Sequence, residues 1–298
     1  MISPLLSWPG AVPAGAPDTG VAAHYGDPYR EQRLLTSGEA VVDLSHRPVI
    51  RIGGRDRLSW LHSLTSQHLE SLPPNQATEA LILSPTGHVE HALYLVDDGE
   101  ATWFHVEPGT AEALLGYLES MRFWSVVTPE LIESHAVVRQ APHAPVPTRV
   151  LARRTELSTE VFLPRPKLAT YMRDNGAAGL LAHEALRVAA AAPRLGFETD
   201  HRTIPHEVGW LATAVHLQKG CYRGQETVAR VNNLGRPPRR LVLLHLDGRA
   251  VGFVTTSARH FELGPIALAL VRRSTPLDAP LIAGGIPAAQ QAVVPAER

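Results

Sequence analysis

The sequence contains only one cysteine, Cys221, among its 298 residues. A single thiol cannot form a disulfide within the chain, and it cannot complete a CxxC zinc or cluster site without ligands from another molecule. The chain also has no uninterrupted apolar run that approaches the roughly 18 residues a membrane span requires. These absences exclude an internally disulfide-bonded scaffold and predict that no helix crosses a membrane.

An excess of one sign of charge is also missing. The chain has 28 basic and 29 acidic residues, which gives a formal net charge of −1. Such a balance provides no overall attraction for nucleic acid, although a local basic patch stays compatible with it. The first 20 residues carry no basic residue and are interrupted by prolines, unlike a signal peptide. We therefore expect a soluble, cytoplasmic bacterial protein that binds neither nucleic acid directly nor a membrane.

Apolar residues make up 44% of the chain, enough for the cores of the about two or three domains that this length allows. Residues 1–28 contain five prolines and no clear period, and we interpret them as an N-terminal arm. The pattern of residues 29–140 predicts an α+β domain with an antiparallel sheet. Residues 149–236, after the proline-rich stretch 141–148, predict a second α+β domain that is interleaved with the first. Residues 237–298 predict a small β module.

Local patterns predict several individual elements. Short apolar and β-branched runs predict strands at Val49–Gly53, His88–Val96 and Arg240–Leu246. Apolar residues at helical spacing predict a helix over Leu180–Ala192, which Pro193 would end. A further helix is predicted to start at Gln225. Together these patterns indicate an α+β chain with a β-rich C-terminal part.

The strongest chemical signal is the segment KGCYRGQE at residues 219–226. Its two glycines flank the only cysteine, so the backbone there can turn tightly and approach a ligand or partner closely. Lys219 and Arg223 lie two residues to either side of Cys221, and the helix expected at Gln225 would add its N-terminal dipole. Cations and helix N-termini favour the nucleophilic thiolate form. The alternative is that Cys221 is a small buried hydrophobic residue, as free cysteines usually are.

A second candidate is Glu207, which follows a proline and precedes Gly209. This setting could hold the carboxylate in a cleft, and a solvated surface glutamate is the alternative. His206 and His216 could ligate a metal with Cys221, but the spacing His-x9-His-x4-Cys matches no zinc pattern. The chain contains no GxGxxG, P-loop, HExxH or GxSxG motif. The sequence therefore gives no sign of nucleotide, zinc-protease or serine-hydrolase chemistry.

The KGCYRGQE segment, with GFETD at 196–200 and TIPHE at 203–207, resembles the YgfZ family. This family is the folate-binding, iron–sulfur-related branch of the glycine-cleavage T-protein superfamily. The resemblance extends from the VDLS segment at 42–45 to Val271, which is most of the chain. It implies a three-domain T-protein-like arrangement around a central channel where a reduced folate can sit, with a small C-terminal module resembling a β-barrel.

The same resemblance implies a function. The chain would be an accessory protein that supports assembly or repair of iron–sulfur clusters in client enzymes, including enzymes that modify tRNA. Its partners would be these clients or cluster-assembly proteins, its cofactor tetrahydrofolate or a derivative, and it would bind no metal by itself. Cys221 would be the functional thiol, in the catalytic position. The residues expected to bind the folate are Glu207, Lys219, Tyr222, Arg223, Gln225, Glu226 and Arg230.

Two positions depart from the aminomethyltransferase branch of this superfamily. Where that branch places an acid that assists the folate, this chain has His91, and the place of a second acid falls in Leu186–Ala190, which holds none. Aminomethyl transfer is therefore not the expected activity. The alternative function is a folate-dependent one-carbon transferase that uses Cys221 or Glu207. A third hypothesis is a binding module in which the cysteine only packs.

Overall fold

The computed structural model describes residues 2–235, 237–246 and 252–294. The chain divides into two compact units, each built from three segments. The first unit contains Met1–His62, Leu69–Glu79 and Leu93–His183, and the second contains Ser63–His68, Ala80–Ala92 and Glu184–Arg298. The finer domain boundaries stay a prediction. Within the described residues no helix is long and apolar enough to span a bilayer.

The helices of the described residues are short, and most carry one apolar face. They are α1 (Pro28–Ser37), α2 (Arg57–Leu64), α3 (Ala111–Ser120), α4 (Leu168–Asn175), α5 (Leu180–Ala189), α6 (Trp210–Thr213) and α7 (Gln225–Leu234). Short 3-10 turns cover Pro4–Ser7, Arg165–Lys167 and Pro205–Glu207.

The strands account for most of the remaining regular structure. They are β1 (Val12–Pro13), β2 (Ala22–His24), β3 (Val41–Asp43), β4 (Val49–Gly53), β5 (Ala77–Leu83), β6 (Val89–Asp97), β7 (Ala101–His105), β8 (Thr128–Leu131), β9 (His135–Gln140), β10 (Ala152–Arg154), β11 (Thr159–Pro164), β12 (Ala177–Ala178), β13 (Arg239–Leu246), β14 (Gly252–His260), β15 (Gly264–Arg272), β16 (Leu281–Ala283) and β17 (Ile286–Ala292).

These strands pair mainly with antiparallel neighbours. Strands β1 and β2 form a small sheet, and a larger sheet has the order β10-β11-β9-β3-β12. Its β12–β3 pair is parallel. Another sheet has the order β5-β6-β7-β4-β8, and the C-terminal sheet has the order β14-β15-β13-β17-β16. Mixed helices and antiparallel sheets confirm the predicted α+β class and its C-terminal β module.

The proline-rich N-terminal segment is packed into the first unit. Leu5 is fully buried in a cluster with Val41, Val138 and Met172. The segment leads into α1, whose start is fixed by Asp27: its carboxylate accepts hydrogen bonds from the first backbone N–H groups of the helix. The described part of the predicted arm, residues 2–28, is therefore anchored by apolar burial, which its proline-rich composition does not indicate.

The C-terminal sheet is buried on both faces along β13 and β15. Side chains alternate between the two faces of a strand, and here each face meets an apolar cluster. Leu241 and Leu243 of β13 face one cluster, whereas Val242 and Leu244 face another. This is why the strand is a continuous apolar run rather than an alternating one. The first of these clusters also contains Tyr222 of the KGCYRGQE segment.

A buried ion-pair network fixes the chain that leads to the candidate site. Arg187 on α5 pairs with Glu184 at 2.7 Å and with Glu198 at 2.9 Å. Arg194 pairs with the second carboxylate oxygen of Glu184 at 2.9 Å. Both arginines are almost fully buried, so each carboxylate neutralises a charge that could not stay unpaired in the interior. The segment that contains Arg194 and Glu198 is therefore held against α5, the helix that precedes it.

Candidate functional site

The KGCYRGQE segment is a loop anchored by a buried lysine. Lys219 Nζ donates hydrogen bonds to the carbonyl oxygens of Thr65, at 2.5 Å, and Gln67, at 3.1 Å. It also lies 5.0 Å from the centre of the Tyr222 ring, in cation–π range. Burial lowers the pKa of Lys219 to about 8, so the ammonium is still mostly protonated at neutral pH. Lys219 thus ties the loop to the segment that follows α2.

A contact between two glycines anchors the other end of the loop. Gly224 has a φ of +82°, and a Cβ placed there would lie 2.6 Å from the carbonyl oxygen of Ser84. Gly87, in the turn between β5 and β6, has a φ of +83°, and its Cβ would lie 2.7 Å from Thr227 Cβ. Side chains at either position would separate the two backbones. The tight turn and the loop therefore require glycine at both positions.

Cys221 lies between these two anchors and is exposed to solvent. Its neighbour Tyr222 is only 8% exposed, because its side chain packs in the apolar cluster that also contains Leu241 and Leu243 of the C-terminal sheet. None of the described residues hydrogen-bonds the thiol. The alternative that Cys221 is a buried packing residue is therefore wrong, because the loop buries Tyr222 and presents Cys221 outward.

The second cation of the segment is engaged by an acid from β6. Arg223 Nη1 pairs with Glu90 Oε2 at 3.0 Å, and both side chains are about one-third exposed. Beside this pair, His91 is half-buried, and burial, with the charge of Arg223, lowers its pKa to about 4. His91 is therefore a neutral imidazole at physiological pH. The position at which the resemblance implies an acid in the aminomethyltransferase branch therefore bears no negative charge here.

Glu207 is completely buried, with its carboxylate occupied by a neighbouring arginine. Arg239 Nε donates to Oε1 at 2.9 Å and Nη2 donates to Oε2 at 2.8 Å. The backbone N–H of Ile204 adds a third hydrogen bond. Arg239 also pairs with Asp200, and this pairing holds the pKa of Asp200 well below its usual range. Both earlier interpretations of Glu207 are therefore replaced: it is neither solvated nor open to a cleft, but bridges its 3-10 turn to β13.

Three predicted residues lie on α7, which starts directly after the loop. Gln225 Nε2 is 3.5 Å from the carbonyl oxygen of Lys219, at the limit of a hydrogen bond. Glu226 and Arg230 are exposed, and they lie on one face of the helix because they are four residues apart. Lys219, Tyr222 and Gln225 thus contact one another, whereas Glu207 makes no hydrogen bond or ion pair with the other predicted site residues that the structure describes. The roles of all these residues in binding stay predictions.

Sequence reasoning missed the partners that hold the loop. Thr65 and Gln67 contribute only backbone carbonyl groups, for which side-chain patterns give no signal. Glu90 adjoins the position noted for its missing acid, and Arg239 directly precedes the strand predicted at Arg240–Leu246. Among the described residues, no group of three or more histidine, cysteine, aspartate or glutamate side chains could hold a metal ion.

The sequence and the structure were compared with those of known proteins. No family model matches the chain. It is 27% identical to the aminomethyltransferase of Synechococcus elongatus, over 86% of this chain and 78% of that protein. It is 24% identical to the tRNA-modifying protein YgfZ of Yersinia enterocolitica, over 73% of this chain and 75% of that protein. Its structure matches the glycine cleavage system aminomethyltransferase T of Bartonella henselae with a TM-score of 0.83 and 17% identity, covering 98% and 96% of the two chains.

Together these findings support the glycine-cleavage T-protein superfamily. The structural likeness confirms the T-protein-like fold that the sequence predicts. The KGCYRGQE loop is therefore part of a T-protein-like chain in which a thiol is exposed and the position of one expected acid is neutral.

In this T-protein-like chain we expect Gly224→Ala to displace the loop. The new Cβ would meet the Ser84 carbonyl, and alanine disfavours the left-handed backbone, so the free energy of unfolding should fall by about 2 kcal/mol or more. Gly220→Ala is the matched control, because nothing lies within 4 Å of a Cβ there. Urea unfolding of both variants measures the difference. Equal stability of the two variants would show that the glycine contact does not hold the loop.

Proposed function

We propose that this chain is a folate-binding accessory protein that supports the assembly or repair of iron–sulfur clusters in client enzymes, including enzymes that modify tRNA. The observation that carries the proposal is the exposed Cys221 on a loop fixed on both sides, by Lys219 and by Gly224. A fixed, exposed thiol is suited to meeting a partner. The likeness to a tRNA-modifying protein YgfZ supports the choice of partner class.

A cysteine thiol can act in two ways toward such a partner. As a thiolate it is a soft ligand that suits iron–sulfur clusters, and it is also a nucleophile. Clusters are commonly held by about four cysteine thiolates, and this chain has one. Cys221 could therefore ligate a cluster only together with residues of a client or an assembly protein. This shared ligation fits an accessory role better than stable storage of a cluster.

The predicted folate site is supported in part by the side chains present. Arg230 is exposed, and Arg223 is one-third exposed although it pairs with Glu90, so both guanidinium groups could reach the carboxylates of a folate tail. Glu207 and Lys219 do not fit, because Arg239 and two backbone carbonyls already occupy them. When bound, a reduced folate would supply one-carbon chemistry. The chain's own contribution is then to hold the tail beside the loop that carries Cys221.

The alternative function, a folate-dependent aminomethyl-type transferase, is supported by the likeness to aminomethyltransferases. That chemistry needs a carboxylate to orient the folate nitrogen and manage its proton. Here His91 is neutral, Val188 is buried in the apolar cluster, and Arg187 is committed to Glu184 and Glu198. Neither His91 nor the stretch Leu186–Ala190 therefore supplies the carboxylate that this chemistry needs. These residues favour the accessory function.

We expect Cys221→Ser to abolish support of client enzymes without unfolding the protein. Serine keeps the size of the side chain but is a poor nucleophile and a poor ligand for iron. The measurement is the activity of an iron–sulfur tRNA-modifying enzyme in cells that lack this protein and carry either variant or wild type. Gln218→Ser, at an exposed position directly before the loop, is the matched control and should give full activity. Full activity with Cys221→Ser would overturn the proposed role of the thiol.

Tetrahydrofolate should bind saturably and change the fluorescence of the five tryptophans. Charge-assisted hydrogen bonds are worth about 1.5–3 kcal/mol, so Arg223→Gln and Arg230→Gln should each weaken binding by about tenfold. Added salt should weaken it as well, because it screens exposed charges. Arg202→Gln, which removes an exposed arginine elsewhere in the second unit, serves as the control. Saturable binding that neither variant changes would place the folate tail elsewhere.

Glycine-cleavage activity should be undetectable. The assay follows release of ammonia from an aminomethyl-lipoyl carrier in the presence of tetrahydrofolate, with a genuine T-protein as the reference. Loss of a positioned acid or base typically lowers a rate by a factor of about 10²–10⁴. If the rate were within about tenfold of the reference, the reduction would be smaller than the loss expected without the acid. The transferase would then be the leading function.

A further inference from the structure

A cavity in the second unit belongs to none of the features above. It has a volume of about 370 Å³ and lies beside the 3-10 turn at Pro205–Glu207, α6, α7 and the chain after β17. This volume falls within the range of small-molecule sites in proteins. Its walls are mainly aliphatic, and they include Leu211, Leu217, Val231, Val293 and Val294.

Among the described residues, three polar side chains also line the cavity, and none of them hydrogen-bonds another described residue. His206 is only 6% exposed, and neither of its ring nitrogens has a hydrogen-bond partner among the described residues. The side chains of Asn232 and Arg273 make no hydrogen bond or ion pair with any residue that the structure describes. Of the three, His206 is buried, whereas Asn232 and Arg273 are partly exposed. Buried polar groups are nearly always paired, so the two unsatisfied nitrogens of His206 at this cavity need an explanation.

We propose that this cavity binds a small organic monoacid with an aliphatic body. The aliphatic walls would cover the body of the ligand, and Arg273 would pair with its carboxylate. The amide of Asn232 offers additional donors for a carboxylate oxygen. Among the described lining residues Arg273 carries the only permanent charge, which favours a single anionic group over a nucleotide with several. The inference is independent of the proposed function, because it uses none of the residues of the KGCYRGQE loop.

The state of His206 is consistent with such a ligand. Burial lowers its pKa to about 4, so the ring is neutral at physiological pH and has one donor and one acceptor nitrogen. A neutral ring adds no second positive charge to the cavity. The donor nitrogen of His206 can therefore offer a hydrogen bond to the carboxylate without demanding a second anion.

Octanoate is the probe for this site, and titration calorimetry at pH 7 is the measurement. We expect saturable binding of one octanoate per chain, and weaker binding of octanol, which has the same chain without the carboxylate. Arg273→Gln should weaken octanoate binding by about tenfold or more, because it removes a charge-assisted pair. Arg272→Gln, an exposed neighbour outside the cavity, is the matched control and should change binding less than about twofold.

A second pair of variants tests the cavity without removing a charge. Ala212→Trp places a large side chain where an exposed alanine of α6 lines the cavity, and it should abolish octanoate binding. Ala229→Trp, at an exposed position of α7 outside the lining, should bind as wild type does. Thermal unfolding checks that both variants fold. Absence of saturable octanoate binding to the wild type, or equal binding by both tryptophan variants, would overturn the proposal.

Discussion

The arrangement of the candidate site depends on a close approach of two backbones, at Gly224 and at the turn that contains Gly87. Because neither position has a side chain, the turn between β5 and β6 can lie directly against the start of α7. The Lys219 ammonium then fixes the other side of the same loop to two backbone carbonyls. With both sides held, burial of Tyr222 leaves Cys221 directed to solvent. Steric constraint and one buried cation thus determine where the only thiol of the chain is presented.

In this molecule, a charged side chain in the predicted site is not always available to a ligand. Lys219 and Glu207 belong to the segments that resemble a folate-binding family, yet both are occupied by groups of the protein itself. Burying a lone charge is costly, so a buried lysine or glutamate must find partners within reach. Here the partners are two carbonyl groups and Arg239. The charges that stay accessible for a ligand are those on the outer side of the loop and of α7.

Much of this architecture could be predicted from local patterns, and the exceptions have physical causes. Strand β4 has the predicted bounds Val49–Gly53, and α7 starts at Gln225 as expected. Helix α5 ends at Ala189 rather than at Ala192, because Ala191 adopts a left-handed conformation and the Ala192 N–H returns to the Arg187 carbonyl. Strand β17 was missed because alanine, glutamine and proline have little strand propensity, and it is fixed by pairing with β13. Contacts between distant segments, including the Lys219 anchor, leave no trace in a local pattern.

The position of β13 between β15 and β17 has a consequence for the synthesis of the protein. The second unit also contains Ser63–His68 and Ala80–Ala92, which leave the ribosome long before its remaining residues. Strand β13 stays without a neighbour on one edge until β17 has been made, and its apolar side chains need cover on both faces. Unpaired apolar strands are prone to aggregation while a chain is incomplete. The second unit can therefore close only after β17 has been synthesised, and until then one edge of β13 lacks its neighbour.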